Sequence, residues 1–149
     1  MTKSISPQNI ILYADDDKDD QQLIEEAFVR YSSNVKIVLA DNGVEALDYL
    51  NNLLPFDPVP CLIILDINMP RVSGKEALVE IRKMERFAET PVILFTTSSQ
   101  LQDKNFALKH KAGFITKPID GEQMKLIADV FIDHCNEEVK KTIKPDKFS

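Results

Sequence analysis

Three apolar runs in this chain, IILYA at 10–14, CLIIL at 61–65 and VILF at 92–95, are almost unbroken by polar residues. A strand with one face in water alternates apolar and polar residues. A continuous aliphatic run, partly β-branched, instead suits a strand covered on both faces, as in a parallel sheet between helices. Residues 35–39 and 113–116 add two further runs. Between the runs the spacing turns helical: Leu23, Ile24, Ala27, Phe28 and Tyr31 step by three and four, as do Ala77, Leu78, Ile81 and Met84. Ile127, Val130, Phe131 and His134 continue it near the end, while residues 99–111 show the least periodic helical stretch. Strand–helix alternation repeated five times predicts an α/β, doubly wound parallel sheet with right-handed crossovers.

The chain has 149 residues, the size of one domain. Such a chain buries roughly 68–70% of its unfolded surface, so it needs no disulfide or structural metal to fold. We assign residues 6–138 to the domain and expect residues 139–149, with KKTIKPDKFS from 140, to be a frayed tail. The connection NNLLPFDPVP at 51–60 holds Pro55, Pro58 and Pro60, which neither continue a helix nor enter a central strand. It reads as an ordered surface loop, with a partner-binding loop as the sharper alternative.

Eighteen Lys and Arg against 24 Asp and Glu leave a net charge of -6, which argues against charge-driven nucleic-acid binding. No apolar run approaches the ~20 residues of a membrane span, and MTKSISPQN lacks the apolar core of a signal peptide. Cys61 and Cys135 lie far apart in sequence, which suggests neither a metal knuckle nor a disulfide framework and makes a reducing cytoplasm the default.

Ligands of open parallel sheets bind beyond the carboxyl ends of the strands. There the first run meets Asp15, Asp16 and Asp17, the third Asp66, the fourth Thr96 and Thr97, and the fifth Lys117 and Pro118. Five of the six residues 15–20 are Asp, of which Asp17, Asp19 and Asp20 suit the capping of the next helix. Like charges ~4 Å apart repel by roughly 4 kcal/mol at an effective dielectric of about 20, so Asp15, Asp16 and Asp66 together call for a cation. An oxygen-only donor set favours a hard ion, above all Mg²⁺ where phosphate is involved. A calcium-loop reading of Asp15, Asp17, Asp19 and Glu26 fails, because Asp20 stands where the loop needs Gly and a strand precedes it. A carboxylate facing bound Mg²⁺ can attack phosphorus, and the lysine and threonine supply charge and a hydrogen bond. His110 and His134 have no ligand-spaced neighbours and read as surface or capping residues, and Cys61 reads as a small buried apolar one.

YADDD at 13–17, LDINMP at 65–70, TTS at 96–98 and FITKP at 114–118 resemble the receiver domain of two-component response regulators. The resemblance runs from about Ile10 to the helix after Pro118 and implies a flavodoxin-like sheet of order 2-1-3-4-5. By position, Asp66 resembles the phosphoacceptor. Asp16 and Asp66 resemble direct Mg²⁺ ligands, with the Asn68 carbonyl as a third and Asp15 acting through water. Thr96 resembles the switch hydroxyl, Lys117 the phosphate-contacting lysine, and Phe114 the switch aromatic, though Phe114 also reads as a simple core residue. Lys117-Pro118 would then be a cis peptide bond.

The resemblance implies a stand-alone cytoplasmic switch that catalyses only its own phosphorylation and dephosphorylation. Its phosphoryl donor would be a sensor histidine kinase or a histidine phosphotransfer protein. With only about 30 residues after Pro118, output is expected through contact with an unknown downstream protein, not through DNA. A last helix reaching about Glu138 would support a homodimer. The proline-containing loop also resembles that of small receivers that partner bacterial phytochromes. A phosphate-independent, receiver-like binding module is the alternative; such proteins normally lack an acid or the lysine, and this chain keeps them. Aspartate-nucleophile hydrolases favour a second Asp two residues after the nucleophile, where this chain has Asn68.

Overall fold

A computed structural model of the chain describes residues 9–145. Five strands, β1 (Asn9–Ala14), β2 (Val35–Ala40), β3 (Leu62–Leu65), β4 (Val92–Thr96) and β5 (Gly113–Thr116), form one sheet in the order β2-β1-β3-β4-β5. Every pairing is parallel. The expected class, order and strand positions are therefore those observed.

The period-two rule of strands divides the core between the two faces. Ile11, Tyr13, Leu62, Ile64, Ile93 and Phe95 point to one side, against α1 (Lys18–Ala27), α5 (Gly121–Met124), α6 (Ile127–Ile132) and α7 (Glu137–Ile143). Leu12, Ala14, Ile63, Leu65, Val92 and Leu94 point to the other, against α2 (Gly43–Asn51), α3 (Gly74–Lys83) and α4 (Leu101–Lys109). Side chains from alternate positions of one run thus build both core layers, which is why the runs carry so few polar residues.

Helix starts follow local chemistry. Asn42 accepts from the Glu45 amide, Ser73 and Glu76 form a reciprocal capping box, and Asn136 accepts from the Val139 amide. The weakly patterned stretch 99–111 does contain a helix. α4 has no side-chain N-cap and buries only Asp103 and Ala107, leaving Leu101 and Leu108 exposed. Its far end is held by Arg82, whose guanidinium donates to the carbonyls of His110, Lys111, Phe87 and Thr90. The loop at 51–60 is ordered on the surface, where Arg86 donates to the carbonyls of Leu53, Pro55 and Asp57.

Three expectations need correction. The last helix is not continuous: α5, α6 and α7 are separate, and Leu126 between the first two has φ -96° and ψ 3°, off helical geometry. The single helix expected to reach about Glu138 is thus three shorter ones, and Glu138 lies in the last of them. The tail is not frayed over 140–145, because α7 buries Ile143 against β1 and β2 neighbours and Asn34 donates to its carbonyl. Residues 146–149, and residues 6–8 at the start of the expected domain, lie outside the described residues. Finally, no described peptide bond is cis, so Lys117-Pro118 is trans, the isomer an X–Pro amide prefers by about 0.5–1 kcal/mol.

Cys61 and Cys135 are free thiols that share one core layer despite their distance in sequence. His134 lies against Gly113, where an added Cβ would come within 2.8 Å of its ring.

Candidate functional site

The sheet ladder continues one residue past the strand ends and so fixes where the polar residues emerge. The Asp15 amide donates to the Ala40 carbonyl at 3.0 Å, the Asp66 amide to Ala14 at 3.0 Å, and the Lys117 amide to Thr96 at 2.7 Å. Asp15, Asp66 and Lys117 therefore reach one edge from β1, β3 and β5. Asp15, Asp16 and Asp66 each bring a carboxylate oxygen to within 4.8 Å of the others. Asp15 is fully buried and Asp66 nearly so, whereas Asp16 faces solvent.

The Lys117 ammonium is buried among the acids, 2.7 Å from Asp15, 2.8 Å from Asp20 and 3.4 Å from Asp66. Burial pulls its pKa down, but hydrogen bonds to Asp15 and Asp20 outweigh that and hold it above the ordinary lysine value. The Asp66 carboxyl moves the other way. Burial pushes it up to about 6, with Asp15 adding to the rise and Lys117 opposing it. Lys117 pairs with three carboxylates and Asp16 stands beside Asp15 and Asp66, so this edge carries excess negative charge, with Asp15 and Asp66 poorly solvated.

The backbone around Asp66 is held as closely. Its Oδ1 accepts from the Asn68 amide at 3.3 Å. A Cβ added at Gly74 would lie 2.2 Å from the Asp66 carbonyl oxygen, so glycine is what lets α3 start against this loop. Asn68 itself is exposed, and Arg71 takes φ 71° as the chain turns toward α3.

Thr96 and Phe114 take a different place. Thr96 is fully buried at the end of β4, and its hydroxyl accepts from the Ser98 amide at 3.2 Å. The Ser98 hydroxyl in turn donates to Asp103 at 2.6 Å, and Asp103 pairs with Lys75 of α3. Phe114 is half-buried in β5, paired in register with Leu94 and packed on the α2–α3–α4 side of the core.

Two neighbours of the acids escape a reading by sequence alone. Asp17 does cap α1, accepting from the Asp19 and Asp20 amides, but the Asp20 side chain turns away to Lys117. Tyr13 donates its hydroxyl to Asp15 Oδ2 at 2.5 Å. Burial, then Asp15, keep that phenol far above its ordinary pKa, so it stays a donor. Tyr13 precedes Asp15 by two in a strand, which places both on one face, and that spacing was the available signal.

The family model of the response regulator receiver domain matches residues 11–129. The response regulator Rcp1 of Synechocystis sp. is 30% identical over 105 residues, covering 69% of this chain and 71% of that protein. The structure of a Mn²⁺-bound form of Rcp1 superposes with TM-score 0.71 at 25% identity, over 80% of this chain and 91% of that one. The phosphorylated cyanobacterial phytochrome response regulator RcpA gives TM-score 0.77 at 27% identity, over 87% of this chain and 98% of that one. The chain belongs to the receiver domains of two-component response regulators, a family phosphorylated on aspartate.

Proposed function

We propose that the chain is a phosphorylation switch in which Asp66 takes a phosphoryl group from the phosphohistidine of a sensor histidine kinase or a histidine phosphotransfer protein. The observation that carries this reading is the meeting of Asp15, Asp16 and Asp66 within 4.8 Å beside the buried Lys117 ammonium. A carboxylate oxygen of Asp66 attacks phosphorus, the P–N bond breaks, and its electron pair stays on the imidazole nitrogen. The product is an acyl phosphate. With its carboxyl pushed up to about 6, Asp66 is still largely ionised at neutral pH and available as the nucleophile.

The donor set fits a hard divalent cation, since it is all oxygen and carries more negative charge than Lys117 offsets. Asp16 and Asp66, with the Asn68 carbonyl and with Asp15 through water, would hold Mg²⁺, as the Mn²⁺-bound form of Rcp1 encourages. Such an ion supplies neutralising charge to the transferring group. Lys117 binds a phosphoryl oxygen, and the Thr96 hydroxyl binds another after giving up the Ser98 amide. Phe114 then follows Thr96 inward and repacks the face of α4, β5 and α5. Leu101, Leu108 and Ile119 stand exposed around that face, which suits contact with a downstream protein. A cytoplasmic location belongs to this reading, and the likeness to RcpA makes a phytochrome-linked kinase the first donor to try.

Phosphorylated histidine kinases, including phytochrome-linked ones, and acetyl phosphate should each be mixed with the protein, with Mg²⁺ and with a chelator. Rapid Mg²⁺-dependent gain of one phosphoryl group is expected. No uptake from any donor, while control receivers are labelled, contradicts the reading.

A further inference from the structure

Asp15 has no exposed surface, yet both its carboxylate oxygens are occupied. Oδ1 accepts from the Asp17 amide at 3.0 Å, and Oδ2 accepts from Tyr13 at 2.5 Å and from Lys117 at 2.7 Å. Tyr13 is equally buried, its ring resting on Phe95 at 6.4 Å between centroids. Phe95 in turn stacks edge-on to Phe131, so the phenol is fixed from below by the core.

If Lys117 moves to a phosphoryl oxygen on Asp66, it must loosen its hold on Asp15 Oδ2. Inside a protein, an acceptor left without a donor costs more than a hydrogen bond ordinarily contributes. The second donor on the same oxygen removes that difficulty. We propose that Tyr13 is a positioning residue which keeps the buried oxygen of Asp15 bonded and in place while Lys117 turns to the phosphoryl group. This rests on the acceptor role of Asp66 given above. Phenylalanine has nearly the same shape and would fill this place in the core without needing a partner, so the hydroxyl and its bond to Asp15 are the informative feature.

The test compares the wild type with Tyr13→Phe, using Mg²⁺ alone and then beryllofluoride, which attaches to the acceptor carboxylate in place of a phosphoryl group. The chain has no Trp and three Tyr, so its near-UV spectrum reports on tyrosine surroundings. Loss of the hydroxyl should weaken beryllofluoride binding about tenfold at saturating Mg²⁺ and change Mg²⁺ affinity less than twofold. A Tyr31→Phe, Tyr49→Phe protein keeps Tyr13 as its one tyrosine, and its near-UV band should shift when beryllofluoride binds. That second protein decides the matter if Tyr13→Phe does not fold. Equal beryllofluoride binding by wild type and Tyr13→Phe, or an unmoved Tyr13 band, overturns the proposal alone. A wild type that takes up no beryllofluoride overturns the acceptor reading as well.

Discussion

Two clusters in this molecule use the same parts to opposite effect. At the sheet edge, Tyr13 donates to Asp15 at 2.5 Å and Lys117 pairs with the same carboxylate. In the turn that follows α1, Tyr31 donates to Asp129 of α6 at 2.5 Å, and Lys144 and Arg30 pair with it. The second cluster lies at the surface and has two cations for one acid. Burial pushes Asp129 up, but Tyr31, Lys144 and Arg30 outweigh it and hold the carboxyl below the ordinary value. In the first cluster one buried cation pairs with three acids, Asp15, Asp20 and Asp66, and there burial raises Asp66 to about 6. Similar pairings therefore leave an acid depressed where solvent and cations are plentiful, and leave excess negative charge where both are scarce.

Removing one cation from each cluster should separate them most. Without metal at neutral pH, Lys117→Ala should cost about 3–5 kcal/mol, because it strands buried carboxylates. Lys144→Ala should cost only about 0–1 kcal/mol, as exposed ion pairs do. Urea denaturation measures both, and equal losses would break the contrast. Added Mg²⁺ should recover part of the Lys117→Ala loss by binding the folded state.

The pH dependence should differ in sign. Asp66 has a folded pKa above its unfolded value of 3.8, so the native state binds the extra proton between about pH 4 and 6. Its contribution is full below pH 4 and is lost as pH rises through 6, by at most about 3 kcal/mol. Asp129 is depressed, so its contribution is present above the ordinary carboxylate range and fades as pH falls. Comparing melts of wild type and Asp66→Asn over pH 4–7 without metal isolates the first term; a metal-free stability difference that does not change with pH refutes it. Saturating Mg²⁺ should erase that slope.

Backbone crowding offers a smaller contrast. Gly74→Ala should cost about 1–3 kcal/mol and weaken Mg²⁺ binding, since its Cβ would meet the Asp66 backbone at 2.2 Å. Gly121→Ala, with nothing within 4 Å, should be neutral or gain up to about 1 kcal/mol. Thermal melts rank the two. Arg30→Ala should be as mild as Lys144→Ala, within about 1 kcal/mol and without change in Mg²⁺ affinity, measurable by urea denaturation and Mg²⁺ titration.

The sequence made the sheet legible because burial on both faces forces continuous apolar runs, and it made the acids legible because strand ends carry them to one edge. What escaped it has a physical reason in each case. α4 buries little and lacks a side-chain cap, so its periodicity is faint. α7 is pinned by the single buried Ile143 and by the Lys144–Asp129 pair, neither of which makes a pattern. Asp20 looked like one more helix-capping acid, and only the fold brings Lys117, 97 positions away, to it. Tyr13 was hidden inside an apolar run that its ring suits and its hydroxyl does not.

Asp66 is the proposed nucleophile of a pocket whose acids and lysine act together. Mass spectrometry of peptides from wild type and Asp66→Asn, each treated with acetyl phosphate and Mg²⁺, tests this most directly. One phosphoryl group on the peptide containing Asp66 in the wild type, and none in a folded Asp66→Asn protein, is the predicted result. Equal labelling of both proteins, or a phosphoryl group found on another aspartate of the wild type, would contradict it.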